Sequence, residues 1–234
     1  MAWLNEINDA PIEFAGGDTI IEENVHIGYN RLTRLREGYK QNSPVKIGKN
    51  VHIRSGTIIY AGCEIGDNVH IGHNVLLREF TKIGDNTSIG SGCVCEGYTI
   101  IGHDTRIQAQ CHLTSRMTIG NFVFLGALVS TMNDKKMRYA RSEVEDSPDI
   151  GPTIEDGVAM GSSVIVLPQV KVGIGAIIGA GALLCKNVEP FMLYIGNPAK
   201  KIRHVERQEV VDSLQEQYRN FINELYKRDR DGWE

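Results

Sequence analysis

The chain has 234 residues, a net charge of -4 with neutral histidines, and 41% hydrophobic residues. A slightly acidic chain is not typical of nucleic-acid-binding proteins, which usually carry a basic excess. No apolar run approaches the roughly 18 residues of a membrane helix, and the acidic N-terminus lacks the basic segment of a signal peptide. We therefore expect a cytoplasmic protein with neither nucleic-acid nor membrane partners. Five cysteines, an odd number, do not suggest a disulfide framework.

The first recurring residues in chain order are Ile21 and Ile27, which lie six positions apart. Residues 28–44 interrupt this spacing and contain four basic side chains, Arg31, Arg34, Arg36 and Lys40. We predict that this segment is a loop that leaves a repeating structure.

An unbroken period of six runs from Val45 to Asp134. Every sixth residue from Ile47 to Leu125 is aliphatic except Cys95, and an Ile-Gly pair returns every 18 residues. A short fixed period predicts a solenoid, in which each repeat buries its apolar face only by stacking on the next. Fifteen hexads, three to a triangular coil, predict five coils that pair as parallel strands about 4.8 Å apart.

The phase of the repeat divides the side chains into inward, outward and corner positions, because strand side chains alternate between faces. Cys63, Cys93 and Cys111 fall on the inward side, which predicts buried thiols rather than metal ligands. The outward residues form three columns: Lys46, Glu64, Lys82 and Ile100; His52, His70, Ser88, Arg106 and Phe124; and Ile58, Leu76, Val94, His112 and Ser130. Three stacked apolar side chains in the third column predict that this face meets another subunit.

The period stops at Asn133 and resumes at Ile154, so residues 133–153 predict a second loop. It ends near residue 203, where a helical spacing begins with one apolar stripe: Val210, Leu214, Tyr218, Phe221 and Leu225. The expected organisation is an all-β solenoid domain over residues 1–203 and a C-terminal helical extension over 204–234.

The hexads, the loop after Asn133-Asp134 and the ending IGNPAKKIR at 195–203 resemble the hexapeptide-repeat acyltransferases. The resemblance implies a left-handed parallel β-helix, a homotrimer and acetyl-CoA as co-substrate. The phrase VSTMNDKKM is similar to the nucleotide-sugar N-acetyltransferase branch, which implies an amino group of a nucleotide-linked sugar as acceptor. The paired asparagines and the His-Asp pair that this branch often carries are replaced here, the latter by Ser115-Arg116.

Acetyl transfer to an amine needs a weak base close to the nitrogen, and an imidazole titrates near neutrality. His112 ends the apolar column and is the candidate base; it could equally just end an interface. Asn133 and Asp134 stand where the loop leaves the coil and are candidates for holding the acceptor, although Asn-Asp also favours turns. Glu79 and Glu96 lie at corners and are interpreted as turn residues.

The resemblance also implies that Ser162, Ala180 and Cys185 line a coenzyme A groove. Lys186, Lys200, Lys201 and Arg203 are candidates for contacting its phosphates, or they simply form a solvated lead-in to the helix. No metal is expected.

Three other readings stay open. A sugar O-acetyltransferase would place more weight on His112, because a hydroxyl needs a stronger base. A non-catalytic β-helix scaffold would not need the GNPAKKIR ending. A gamma-type carbonic anhydrase would need two histidines five residues apart, whereas His73 is followed by Arg78 at that spacing.

Overall fold

A computed structural model describes residues 10–30, 43–137, 149–206, 219–221 and 223–224. Within them, 26 strands run in chain order: β1 (Ile12–Phe14), β2 (Ile20–Ile21), β3 (His26–Tyr29), β4 (Val45–Ile47), β5 (His52–Ile53), β6 (Ile58–Tyr60), β7 (Glu64–Ile65), β8 (His70–Ile71), β9 (Leu76–Leu77), β10 (Lys82–Ile83), β11 (Ser88–Ile89), β12 (Val94–Cys95), β13 (Ile100–Ile101), β14 (Arg106–Ile107), β15 (His112–Leu113), β16 (Thr118–Ile119), β17 (Phe124–Leu125), β18 (Ser130–Thr131), β19 (Thr153–Ile154), β20 (Ala159–Met160), β21 (Ile165–Val166), β22 (Lys171–Val172), β23 (Ile177–Ile178), β24 (Leu183–Leu184), β25 (Met192–Ile195) and β26 (Lys200–His204). Residues 219–221 and 223–224 are helical.

Every third strand belongs to the same sheet, as a triangular coil requires. Sheet A is ordered β1-β4-β7-β10-β13-β16-β19-β22, sheet B is β2-β5-β8-β11-β14-β17-β20-β23-β25-β26, and sheet C is β3-β6-β9-β12-β15-β18-β21-β24. All pairings are parallel except that of β25 with β26. The predicted columns are confirmed, since Ser88 pairs with His70 and Arg106, and Val94 with Leu76 and His112.

The core is a single column of aliphatic side chains along the axis of the prism. Cys63, Cys93, Cys95 and Cys111 lie within it and are buried, as predicted for the three that the repeat phase placed inward. The hydroxyl groups of inward-facing threonines form hydrogen bonds to the neighbouring coil. For example, the Thr87 hydroxyl donates to the Gly102 carbonyl at 2.8 Å. Each sheet is therefore stabilised both by its strand pairing and by the packing of its inner face.

The corners between sheets turn through left-handed backbone conformations. At the corner after sheet A, Asn50, Asn68 and Asn86 have φ of 54–56°, and each amide bonds to the next at 3.1 Å. Asparagine tolerates this conformation better than other side-chain-bearing residues. A Cβ on Gly66 would lie 2.3 Å from the Asp85 carboxylate and 2.8 Å from its backbone nitrogen. This close approach explains the glycine of the Ile-Gly pair.

Both interruptions of the repeat leave the stacking intact. β3 continues through Gly28 to Tyr29, and its next neighbour in sheet C is β6. Ile119 pairs with Ile154, 35 residues later instead of 18. The basic residues of 31–42, and residues 138–148 of the second loop, lie outside the described residues.

The solenoid ends in an antiparallel hairpin, β25–β26, whose turn contains a cis Asn197–Pro198 bond. From the helical stripe, Phe221 is described, and its ring stacks on Phe122 with centroids 4.0 Å apart. The other four stripe residues lie outside the described part. Within the described helical residues, no segment is long and apolar enough to cross a bilayer.

Candidate functional site

The corner between sheets C and A, here called corner C, departs from the repeat. It is formed by residues 60–63, 78–81, 96–99, 114–117 and 132–135 on successive coils. The corner after sheet A reads Gly-x-Asn on three successive coils before it changes to Gly-His-Asp and Gly-Asn-Phe, whereas corner C reads Arg-Glu-Phe, Glu-Gly-Tyr, Thr-Ser-Arg and Met-Asn-Asp. Turn geometry does not require these polar and aromatic side chains, so corner C is the candidate site.

His112 lies in β15, on the outer face of sheet C beside this corner. Its Nε2 is 3.4 Å from the Glu96 carboxylate, and its Nδ1 is 3.4 Å from the Thr131 carbonyl. The His112 and Glu96 side chains are 44% and 37% exposed, so a ligand can reach both. With its proton on Nδ1, the imidazole donates to the carbonyl and keeps Nε2 as a proton acceptor.

Asn133 stands one coil above Ser115, and its amide donates to the Ser115 hydroxyl at 2.8 Å. Thr131 connects this pair to His112. Its hydroxyl accepts the Thr114 N–H at 2.9 Å and donates to the His112 carbonyl at 3.1 Å. The structure therefore places His112 and Asn133 on adjacent coils of one corner, joined by a buried threonine.

Asp134 caps the turn that leaves the coil. One carboxylate oxygen accepts the backbone N–H groups of Lys136 and Met137 at 2.9 and 2.7 Å. This is the turn role that an Asn-Asp sequence favours. The turn also fixes where the Asp134 carboxylate stands relative to Asn133.

A buried ion pair lies lower in the same corner. Arg78 contacts both carboxylate oxygens of Glu79 at 3.3 and 3.4 Å, and the Glu79 side chain is only 5% exposed. A Cβ on Gly97, one coil above, would lie 2.8 Å from the Glu79 carbonyl. Gly97 thus allows the close approach of its coil to the Glu79 backbone carbonyl.

The six-residue period does not indicate a role for Glu96, Ser115 or Thr131. Its corner position suggests that Glu96 is a turn residue, yet the Glu96 carboxylate faces the His112 ring on the next coil. The only sign of these contacts in the sequence is Thr131, a polar residue that replaces an aliphatic one at an inward-facing position of the six-residue period.

The residues expected to bind coenzyme A lie at three places in the chain. Ser162 and Ala180 are stacked at the corner between sheets B and C, where the backbone N–H of Gly181 donates to the Ser162 carbonyl at 2.9 Å. Cys185 and Lys186 follow β24 at corner C. Lys200, Lys201 and Arg203 lie in β26, at the edge of sheet B.

The charges of this last group are partly neutralised. Lys201 Nζ lies 2.6 Å from the Glu189 carboxylate, and this hydrogen bond raises the pKa of Lys201. Lys200 is exposed. In the described part of the chain, no group of three or more His, Cys, Asp or Glu side chains is arranged to hold a metal ion.

Comparison with known families identifies the repeat. Residues 44–79 and 62–97 match the bacterial transferase hexapeptide (six repeats), and residues 81–115 match the hexapeptide repeat of succinyl-transferase. A putative acetyltransferase of Schizosaccharomyces pombe is 40% identical over 95 residues, covering 39% of this chain and 45% of that protein. Serine acetyltransferase 4 of Arabidopsis thaliana is 33% identical over 93 residues, covering 40% and 25%. Each match thus covers less than half of the relative's length.

Solved structures show the same fold over most of the chain. The polySia-specific acetyltransferase NeuO matches with a TM-score of 0.53 and 20% identity, covering 93% of this chain and 96% of that one. A UDP-N-acetylglucosamine acyltransferase from Campylobacter jejuni matches with a TM-score of 0.53 and 17% identity, covering 88% and 82%. The fold of this chain is a left-handed parallel β-helix, as expected.

Proposed function

We propose that this chain, which carries the hexapeptide repeats of bacterial transferases over residues 44–115, moves an acetyl group from acetyl-CoA to an amino group of a nucleotide-linked amino sugar. The assignment of acyl transfer is supported by the putative acetyltransferase that is 40% identical to this chain over 95 residues. The site chemistry supports a basic acceptor.

The observation that carries the proposal is the pairing of His112 with Glu96 at corner C, one coil below the Asn133–Asp134 turn. An amine that binds as an ammonium ion is attracted by the Glu96 carboxylate. Its proton passes to His112 Nε2 before or during attack, and the resulting imidazolium is stabilised by that carboxylate.

The reaction forms one bond and breaks another. The neutral amine nitrogen attacks the thioester carbonyl carbon, and the carbon–sulfur bond then breaks. The coenzyme leaves as a thiolate and takes a proton from the imidazolium. The neutral imidazole then removes the remaining extra proton from the acylated nitrogen, which gives the amide, and releases it to water. Asn133 lies in corner C, so its amide can orient a hydroxyl group of the acceptor. The Asp134 carboxylate adds negative charge beside Asn133.

The coenzyme is placed at the upper coils of the helix. Ser162 and Ala180 offer small side chains and a backbone edge against which the pantetheine arm can lie, and Cys185 lines the same groove. Lys186, Lys200, Lys201 and Arg203 supply positive charge for the phosphates. Because these residues lie at two corners and a sheet edge, the groove is completed by a neighbouring subunit in the homotrimer that we propose.

The apolar column of sheet C supports that trimer. Ile58 is 38% exposed in the isolated chain, and Leu76 and Val94 continue the apolar surface above it. A threefold ring buries such a column without leaving an open end. We place this enzyme in the cytoplasm, where acetyl-CoA and nucleotide sugars occur together.

Incubation with acetyl-CoA and a panel of nucleotide-linked amino sugars, with release of the CoA thiol followed over time, tests the proposal. We expect thiol release that depends on the amine and an acetamido product by mass spectrometry. Release with the matching nucleotide sugars that carry a hydroxyl, and none with any amine, would contradict the N-acetyl assignment.

Sugar O-acetylation is the second candidate, and the His112–Glu96 contact is the observation that favours it. A hydroxyl acceptor depends on a positioned general base more than an amine does, and the Glu96 carboxylate lies against the His112 ring. The nucleotide sugars of the same panel that carry a hydroxyl in place of the amine distinguish O-acetylation from N-acetylation.

A further inference from the structure

A trough of about 260 Å³ crosses the outer face of sheet B, on the other side of the corner that leads to His112. We call it the sheet-B trough; its polar lining is His52, Arg54, His70, Ser88, Ser91, Arg106 and Gln108. Gly72 and Gly90 line the trough at successive corner positions between Arg54 below and Gln108 above. A Cβ on either glycine would lie 2.5 Å from a backbone nitrogen of the next coil.

The charges in the trough are unevenly compensated. At its lower end, the Glu22 carboxylate is 3.2 Å from His52 and 3.1 Å from Arg54. At its upper end, His70 and Arg106 make no ion pair with any residue that the structure describes. No carboxylate belongs to the lining, and each polar side chain in it can donate a hydrogen bond.

The outer face of sheet A provides the contrast. Its own trough, of about 360 Å³, is lined by Lys46, Glu64 and Lys82. There the charges alternate along the column, and Lys82 Nζ lies 3.1 Å from the Glu64 carboxylate. Glycines thus line both troughs, whereas an arginine without an ion-pair partner among the described residues is found in the sheet-B trough.

The arrangement of the donors matches two linked anionic groups. Ser88 pairs with His70 on the coil below and with Arg106 on the coil above. The Cα atoms of His70 and Arg106 are therefore about 10 Å apart, twice the spacing of neighbouring strands. One anionic group can accept a charge-assisted hydrogen bond from Arg106 and the second a hydrogen bond from His70, with the Ser88 hydroxyl between them donating to one of the two.

We infer that the sheet-B trough binds the diphosphate group of a nucleoside diphosphate. This inference rests on the proposed function, because it supplies the subsite for the nucleotide part of the acceptor. A single coil carries Arg106 before corner residues 108–111 and His112 after them. An elongated acceptor can therefore hold its diphosphate in the trough and extend its sugar around the corner.

Isothermal titration of the full-length protein tests the inference with three probes: uridine diphosphate, inorganic pyrophosphate and sulfate. We expect the first two to bind and sulfate to bind at least about 10-fold more weakly, because it offers one anionic group. Arg106→Gln should weaken uridine diphosphate binding at least about 10-fold. The matched control Lys82→Gln, on sheet A, should leave it unchanged.

Three results would overturn the inference: no binding of uridine diphosphate, equal binding of sulfate and pyrophosphate, or the same loss in Arg106→Gln and Lys82→Gln. Circular dichroism of both variants excludes misfolding as the cause. Binding is measured without catalysis, so it is independent of the thiol-release assay. Binding of uridine diphosphate in the trough without any acetyl transfer would reject the proposed function and leave the trough site. Acetyl transfer at an unchanged rate in Arg106→Gln would reject the trough site and leave the proposed function.

Discussion

His112 Nε2 lies 3.4 Å from Glu96 Oε1, across two neighbouring coils of one corner. If this pair handles the proton, His112→Asn should lower kcat/KM by about 100-fold or more, the usual contribution of a general base. Glu96→Gln keeps the side-chain shape and removes the charge. It should lower kcat/KM by about 10-fold, because one charge-assisted hydrogen bond between half-exposed groups contributes the lower end of its range.

Steady-state kinetics with the acceptor and acetyl-CoA varied separately measure both effects. Glu64→Gln, a carboxylate on sheet A, is the control and should retain wild-type rates. Unchanged kcat/KM in His112→Asn would remove the imidazole from the mechanism and leave the substrate amine to lose its proton to water.

The fold could be predicted from the sequence almost entirely, because period and phase are local properties of the chain. Fifteen strands fall where the hexads from Val45 to Asp134 place them, and Val94 meets Leu76 and His112 as the 18-residue spacing requires. The His112–Glu96 contact could not be predicted, because it joins a strand position to a corner position 16 residues earlier. Such a contact depends on side-chain rotamers, which the repeat does not determine.

Substitution of Asp134 can separate the effect of its charge on acceptor binding from its role in capping the turn. In Asp134→Asn, the side-chain oxygen still accepts the N–H groups of Lys136 and Met137, so stability should stay unchanged. If the carboxylate attracts the acceptor amine, KM for that substrate should rise about 10-fold. Thermal unfolding and acceptor kinetics on one preparation measure both; a fall in Tm with an unchanged KM would assign Asp134 to the turn alone.

The proposed trimer depends on the apolar column of sheet C. Leu76→Lys places an ammonium group among Ile58 and Val94 and should dissociate the assembly, because burying an unpaired charge is costly. Ile100→Lys is the control, since Ile100 is an exposed apolar residue on sheet A. Analytical ultracentrifugation should show a monomer for the first variant and a trimer for the second. A wild-type monomer would reject the interface.

Thiol reactivity should distinguish the cysteines by burial. Desolvation raises the pKa of Cys63 to about 12, so at pH 8 only about one molecule in 10,000 carries its thiolate. Complete burial also raises the pKa of Cys95 well above its usual value. Cys185 is exposed. We expect an aromatic disulfide reagent to modify one thiol in the native protein and all five after denaturation.

The matched variant Cys185→Ser should show no rapid native reaction. It also removes the background that this thiol would add to the CoA-release assay. Rapid modification of a second native thiol would mean that the coils open on the timescale of the reaction.

The stack of Phe221 on Phe122 ties a helical residue of the C-terminal segment to the corner after sheet A. A double-mutant cycle with Phe122→Asn and Phe221→Ala should give a coupling free energy of about 1 kcal/mol. Asparagine is chosen because Phe122 has a φ of 54°, which asparagine adopts at the same corner of lower coils. Urea unfolding of the four proteins measures the coupling, and a value near zero would mean that the rings contribute independently.

The antiparallel strand β26 has a consequence for assembly. A stack of parallel coils could in principle be lengthened by further copies, because its last strands present unpaired backbone groups. β26 runs against the direction of sheet B and presents Lys200, Lys201 and Arg203 on an exposed edge. A strand arriving from another molecule at this edge would meet a strand of the wrong polarity and a row of basic side chains. β26 therefore disfavours continuation of sheet B by a parallel strand of a second molecule, a property separate from any catalytic use of the same basic residues.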